Sequence, residues 1–436
     1  MIIPRISNKT NETQWLPPPS KDPFYKPPDG WEATKPGTVL RTRKHAYYRI
    51  RIRNCIDVFQ LQFRTTDTIG NPSWAIGTIF VPASNQNCTA SNLSACGHGL
   101  VSYQIPTDSS SPNAAPSFLL QARDPYGEVR DLLANGWFVF VPDYEGPLAS
   151  FCAGAQSGHA TLDGAQAAVS VGDQYGLRKD KARVAFWGYS GGAFATAFAA
   201  ELAQKYAPDF KIAGVIIGGP SPNLTTVNLR MNKRDTAGIV FESLIGITQQ
   251  QDKARKFLMD RLKTTGPYNT TAFFKASKMT AVDALTDYAY QDIYDYFING
   301  ESDFWEPVLQ NLFDDDGMIG SHGIPNMPVF VYKAIQDEMS PVIETDTVVK
   351  RYCDGGARVL YHRNTLGHHN DELWMGRART MDFISTIIDD TNKLPFPAHG
   401  CQTVKVTVPM NLAGLLPDDM SDWQSAEDHI PGSSER

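Results

Sequence analysis

The sequence predicts an α/β chain, with a mainly parallel central sheet flanked by helices and interrupted by an inserted helical cap, or lid, subdomain. Three observations predict it. From Leu100 onward, short apolar strand-like runs alternate with helical patterns, as in a parallel sheet covered on both faces. The pentapeptide Gly188-Tyr189-Ser190-Gly191-Gly192 sits between a strand-like run and an alanine-rich helical one. Between Gly219 and Met327 lie about a hundred residues with helical patterns but no convincing buried strand.

The elements follow in order. Residues 1–38 carry eight prolines and little periodicity, which predicts an extended arm laid on the surface. Segments 49–63 and 73–81 read as paired strands joined through a turn-prone stretch from Asp67 to Pro72. The densest basic run, Arg41, Arg43, Lys44, Arg49, Arg51 and Arg53, alternates with apolar residues in its second half and reads as solvated strand faces. Segment 84–96 is polar and holds two cysteines eight apart, so a surface loop closed by a local Cys88–Cys96 disulfide is expected. Strands are then expected at 100–105, 137–141, 184–187, 212–217, 326–334 and 357–362. Helices are expected at 162–175, 193–206 and 375–388. This divides the chain into a core of 39–220 and 324–401, a cap of 221–323 and a tail of 402–436. Amphipathic stretches at 254–262 and 281–297 would place the cap over the carboxyl edge of the sheet, where open α/β sheets bind ligands.

Composition narrows the function. A net charge of −7 and a sequence pI near 5.7 leave no electrostatic footprint for nucleic acid or an anionic membrane. No stretch reaches the length of a transmembrane helix, so no stable membrane insertion is expected. Six cysteines without a C-x-x-C pair favour disulfides over a zinc ribbon. Six N-x-[ST] sequons, at Asn8, Asn11, Asn87, Asn92, Asn223 and Asn269, join them in pointing to a secreted glycoprotein. Met1 to Ser20 shows charges and prolines where the apolar segment of a signal peptide would be, which keeps an intracellular protein as the alternative.

The chemistry centres on Ser190. A tight strand-to-helix turn collides with side chains two positions either side of its apex, and Gly188 and Gly192 remove them. Ser190 is therefore the expected nucleophile. A serine hydroxyl needs a histidine base and a carboxylate that fixes its tautomer, and in the α/β-hydrolase order both follow the serine. Asp337 lies on the loop just past a strand end. The base falls in the next such loop, where His368 and His369 are adjacent and only one can face Ser190. A metal site at His368, His369, Asp371 and Glu372 matches no standard ligand spacing, and neither a metal nor a cofactor is expected. Gly191 supplies one oxyanion donor as the residue after the nucleophile; the second should lie in the loop from Pro106 to Ser111.

Several segments together resemble the fungal secretory lipase family. They are Asp22-Pro23-Phe24-Tyr25, Lys35-Pro36-Gly37, Ser102-Tyr103-Gln104 with Asp108-Ser109, Asp143-Tyr144-Glu145-Gly146, Tyr206-Ala207-Pro208 and 334–338, besides the serine turn. The resemblance, running from about Asp22 to Cys401, implies an α/β-hydrolase fold with a cap after the sixth strand and hydrolysis of carboxylic esters. It implies Asp108 as the second oxyanion donor, and it picks His369 over His368 because the family's histidine precedes a glycine, here Gly376, by seven residues. It implies a Cys353–Cys401 disulfide, which leaves Cys55–Cys152 as the remaining pair. The cap and the acidic Asp314-Asp315-Asp316 run depart from the lipase pattern. The expected function is thus a serine ester hydrolase acting on a small-molecule or lipid ester, with at most transient contact at a lipid interface. The alternatives are an esterase or acyltransferase modifying a secondary metabolite, for example by deacetylation, a serine peptidase, or an inactive hydrolase scaffold that binds protein.

Overall fold

The computed structural model describes residues 16–44, 52–89, 91–121 and 127–410. The sequons at Asn8 and Asn11, the arginines Arg49 and Arg51, and tail residues 411–436 lie outside them.

Ten strands form one sheet: β1 Val39–Lys44, β2 Cys55–Thr66, β3 Pro72–Pro82, β4 Gly99–Gln104, β5 Phe138–Pro142, β6 Arg183–Tyr189, β7 Gly214–Gly218, β8 Val329–Ala334, β9 Val359–Asn364 and β10 Cys401–Val406. Their order is β1-β2-β3-β5-β4-β6-β7-β8-β9-β10. The pairings from β1 through β3 to β5 are antiparallel, and those from β5 onward are parallel. The central strands β4, β5, β7 and β8 are buried along their whole length, which is why they read as apolar runs rather than alternations. Helices Gly154–Ser170, Gly191–Tyr206 and Val342–Asp354 pack on one face, and Gly127–Ala134 and His369–Ile388 on the other. The chain is an α/β hydrolase in architecture.

Because β4 lies between β5 and β6, the chain reverses its direction of travel across the sheet there. The carboxyl ends of β4 and β6 therefore mark a topological switch point, the usual ligand position in such sheets. The segment between β7 and β8 is helical and has its own apolar core, built around Phe241, Leu244, Phe273 and Phe297 and shared with Phe151 and Cys152. All ten residues of the helix Gly238–Ile247 are buried, so periodicity could not mark it as amphipathic.

Four expectations need correction. Segment 39–44 is a strand, so the helical insertion follows the seventh strand, not the sixth. The core sheet runs past residue 401, because β10, which pairs in parallel with β9, extends to Val406. The stretch 281–297 is two short helices, Ala281–Asp287 and Ile293–Tyr296, not one. The disulfides are Cys88–Cys96 and Cys353–Cys401, whereas Cys55 and Cys152 are free thiols. Cys55 packs against the sheet's second face and Cys152 belongs to the insertion's core, so the two have no common neighbourhood.

Candidate active site

Ser190 stands at the end of β6 with φ 52° and ψ −119°, a backbone that L-residues rarely adopt. Its amide donates to the Gly218 carbonyl at 3.0 Å, which ties the strained turn to β7. A β-carbon on Gly188 would lie 2.0 Å from the Gly192 carbonyl oxygen, and one on Gly192 would lie 1.8 Å from that of Gln104. Both glycines are steric necessities, as the pentapeptide suggests. The turn presents the Ser190 hydroxyl, which donates to His369 Nε2 at 2.8 Å.

His369 is the first residue of the helix His369–Ile388. Its amide donates to Glu338 Oε2 at 3.0 Å and its carbonyl accepts from the Tyr189 hydroxyl at 2.5 Å, so its backbone is clamped from both sides. Its Nδ1 donates to Asp337 Oδ2 at 2.6 Å, which leaves Nε2 as the unprotonated nitrogen facing the serine. His368, one residue earlier, is the helix's N-cap; its side chain is exposed and donates from Nδ1 to the Gln336 carbonyl. The helix lies close because Gly376 rests on Tyr332 of β8: a β-carbon there would sit 2.2 Å from that ring.

Asp337 Oδ1 accepts from the amides of Met339 and Ser340 at 2.9 and 2.8 Å. Its Oδ2 meets, besides His369, the ammonium of Lys333 at 2.8 Å. Burial alone would push the Asp337 carboxyl up, but His369 and then Lys333 hold it well below the usual range. Burial pulls the Lys333 amine down from its ordinary value, opposed by Asp337.

On the other side of Ser190, the loop after β4 carries Asp108 at φ 49°, a left-handed backbone that Asp and Asn tolerate better than most residues. A β-carbon on Gly191 would fall 2.2 Å from Asp108 Oδ1, so these two residues are in direct contact. The insertion grips this loop twice. Ser109 Oγ donates to the Met279 carbonyl at 2.8 Å, and Glu242, on helix Gly238–Ile247, accepts from Ser110. Burial pushes Asp108 up to about 6, Glu242 up to about 8 and Asp143 up to about 7, and carries Glu145 well above the usual carboxyl range. Burial thus raises the proton affinity of every carboxyl on this side of the site.

Of the residues expected from sequence, Ser190, His369 and Asp337 form one hydrogen-bonded chain, and Gly191 and Asp108 lie together beside it. Sequence reasoning missed Lys333, Glu242 and Tyr189. For Lys333 a signal existed: a lysine inside the apolar strand Val329–Ala334 has no solvent-facing position to occupy.

A strained serine turn at the carboxyl edge of this sheet, followed in chain order by aspartate and histidine, places the chain among the α/β hydrolases. Within them it belongs to the secretory lipase family, whose sequence model, described as "Secretory lipase", matches residues 118–393. The chain is 38% identical over 397 residues to a trichothecene C-3 esterase of Fusarium sporotrichioides, covering 89% of this chain and 88% of that one. It is 36% identical over 418 residues to Lipase A of Arthroderma benhamiae, covering 92% and 85%. Its fold matches the X-ray structure of Candida antarctica lipase A with a TM-score of 0.80 at 24% identity, over 94% of this chain and 96% of that one. The protein is a carboxylic-ester hydrolase.

Proposed function

We propose that Ser190, His369 and Asp337 are the catalytic triad of this hydrolase, and that its substrate is a small-molecule ester of the secondary-metabolite kind. In this reading Ser190 Oγ adds to the ester carbonyl carbon as its proton passes to His369 Nε2. Asp337 stays ionised and holds Nδ1–H, stabilising the imidazolium. The amides of Gly191 and Asp108 donate to the oxyanion. Collapse expels the alcohol, which takes the proton from His369, and water then cleaves the acyl-enzyme by the same route in reverse. The observation that carries the triad is the unbroken chain of 2.8 and 2.6 Å contacts from Ser190 through His369 to Asp337.

The substrate reading is supported by the 38% identity to a protein named a trichothecene esterase. The 36% identity to a protein named Lipase A favours a second reading, an acyl-lipid hydrolase in transient contact with a lipid interface. Among the described residues no helix is long and apolar enough to cross a membrane. A series of nitrophenyl esters of increasing acyl length separates the two: highest kcat/KM on acetyl or butyryl esters supports the first, and preference for long acyl chains with activation by an oil interface overturns it. Two disulfides and the exposed sequons at Asn87 and Asn92 support secretion.

A further inference from the structure

We propose that Lys333 is a positioning residue of the triad, whose ammonium charge offsets Asp337 and so sets how far activity extends toward acid pH. The proposal rests on the reading of His369 as the base. Lys333 lies in β8, four residues before Asp337, with its side chain wholly buried. Its Nζ has two oxygen partners, Asp337 Oδ2 at 2.8 Å and the Pro220 carbonyl at 2.7 Å. A lysine pays a large desolvation penalty at such depth, and a contact this close to the triad carboxylate is what compensates it. Pro220 lies two residues past the end of β7, so the same ammonium fixes the aspartate loop against the start of the helical insertion.

The electrostatic consequence follows from counting charges. With Lys333 present, the resting site holds one anion, one cation and a neutral imidazole. Other ionisable groups facing it are Glu338, which caps His369; Glu344 on helix Val342–Asp354 with Arg230 beside it; Glu372 behind Tyr189, paired with Arg379; His368 at the surface; and Asp108 across the site. The carboxylates outnumber the cations in this set. Without the lysine, buried Asp337 would acquire its counter-charge by keeping a proton on His369, and a protonated His369 cannot accept the serine proton.

The test is the pH profile of kcat/KM on a soluble ester for Lys333→Met and Lys333→Gln, the second of which retains a donor for the Pro220 carbonyl. Both should shift the acidic limb upward by about one pH unit or more and recover much of their activity at high pH. A purely structural role would lower activity equally at every pH. An unmoved or downward-moving limb in a folded variant overturns the proposal. If neither variant folds, ¹⁵N-lysine spectra of the intact wild-type enzyme decide: one slowly exchanging charged ammonium across about pH 5 to 8 supports it, and a neutral amine there overturns it. Fluorophosphonate labelling of Ser190 in the same samples keeps the two claims separate, since wild-type enzyme that is labelled at another residue contradicts the triad itself.

Discussion

Glu242 accepts two hydrogen bonds from Ser110, at 2.7 Å from the amide and 2.5 Å from the hydroxyl, and so joins the helical insertion to the loop that carries Asp108. The carboxyl is fully buried, and its other oxygen has no hydrogen-bond partner among the described residues. An insertion tied in this way cannot lift off without disturbing the loop that carries Asp108.

The first prediction follows. Glu242→Ala should lower kcat on a soluble ester by about 10- to 100-fold, since loss of one oxyanion donor costs about that or more, while KM changes less. Steady-state kinetics check it. A variant that raises KM alone would show that Glu242 shapes the pocket and not the oxyanion loop.

Asp108 gives a prediction in pH. Burial pushes its carboxyl up to about 6 against the opposing charge effect of His369, so it ionises as pH rises through that value. An anion in contact with Gly191 opposes the charge that develops on the substrate oxygen. Asp108→Asn keeps a residue suited to left-handed backbone and removes the titration. The ratio of variant to wild-type kcat should therefore rise between about pH 5 and pH 7. A constant ratio would dissociate Asp108 from the oxyanion.

Stability has its own pH dependence, best read at Asp163, which is remote from Ser190. Asp163 accepts from Thr65 and Tyr206, yet burial pushes its carboxyl up to about 7. A carboxyl whose folded value is raised binds its proton more tightly in the folded state. Its stabilisation is complete below the unfolded value near 4 and is lost as pH rises through the folded one. For Asp163 this is worth at most about 4 kcal/mol. Thermal melts should show a lower Tm at pH 8 than at pH 5, and Asp163→Asn should flatten that slope without changing kcat. Asp337, held low, works in the opposite sense and costs stability only in strong acid.

Much of the fold was legible because the central strands are uniformly apolar and end in loops with distinctive chemistry. Ser190 and Asp337 stood out as candidates since each sits just past a strand. Choosing His369 over His368 required the family resemblance; nothing local separates two adjacent histidines, and the choice is made by the turn of a helix whose first residue is His369. Strand β1 was only half legible: Arg41, Arg43 and Lys44 read as a solvated strand face, but its partial exposure left no apolar run to set its bounds. Strand β10 was hidden for a similar reason: its exposure is high, and it is held by parallel pairing to β9 and by the Cys353–Cys401 bond, both long-range. The insertion was opaque because a helix buried on every side, such as Gly238–Ile247, shows no polar face. Its tie to Ser110 spans 132 residues of sequence and leaves no local mark.

The central claim is that Ser190 is the nucleophile of an ester hydrolase, and the most direct measurement is the burst of nitrophenol released by wild-type and Ser190→Ala enzyme mixed with a nitrophenyl ester. Wild type should release close to one equivalent in the burst when deacylation is the slower step, and Ser190→Ala should show no burst and a turnover reduced by about 10³-fold or more while keeping the wild-type melting profile within a few degrees. A folded Ser190→Ala enzyme that turns over ester at the wild-type rate would contradict the account.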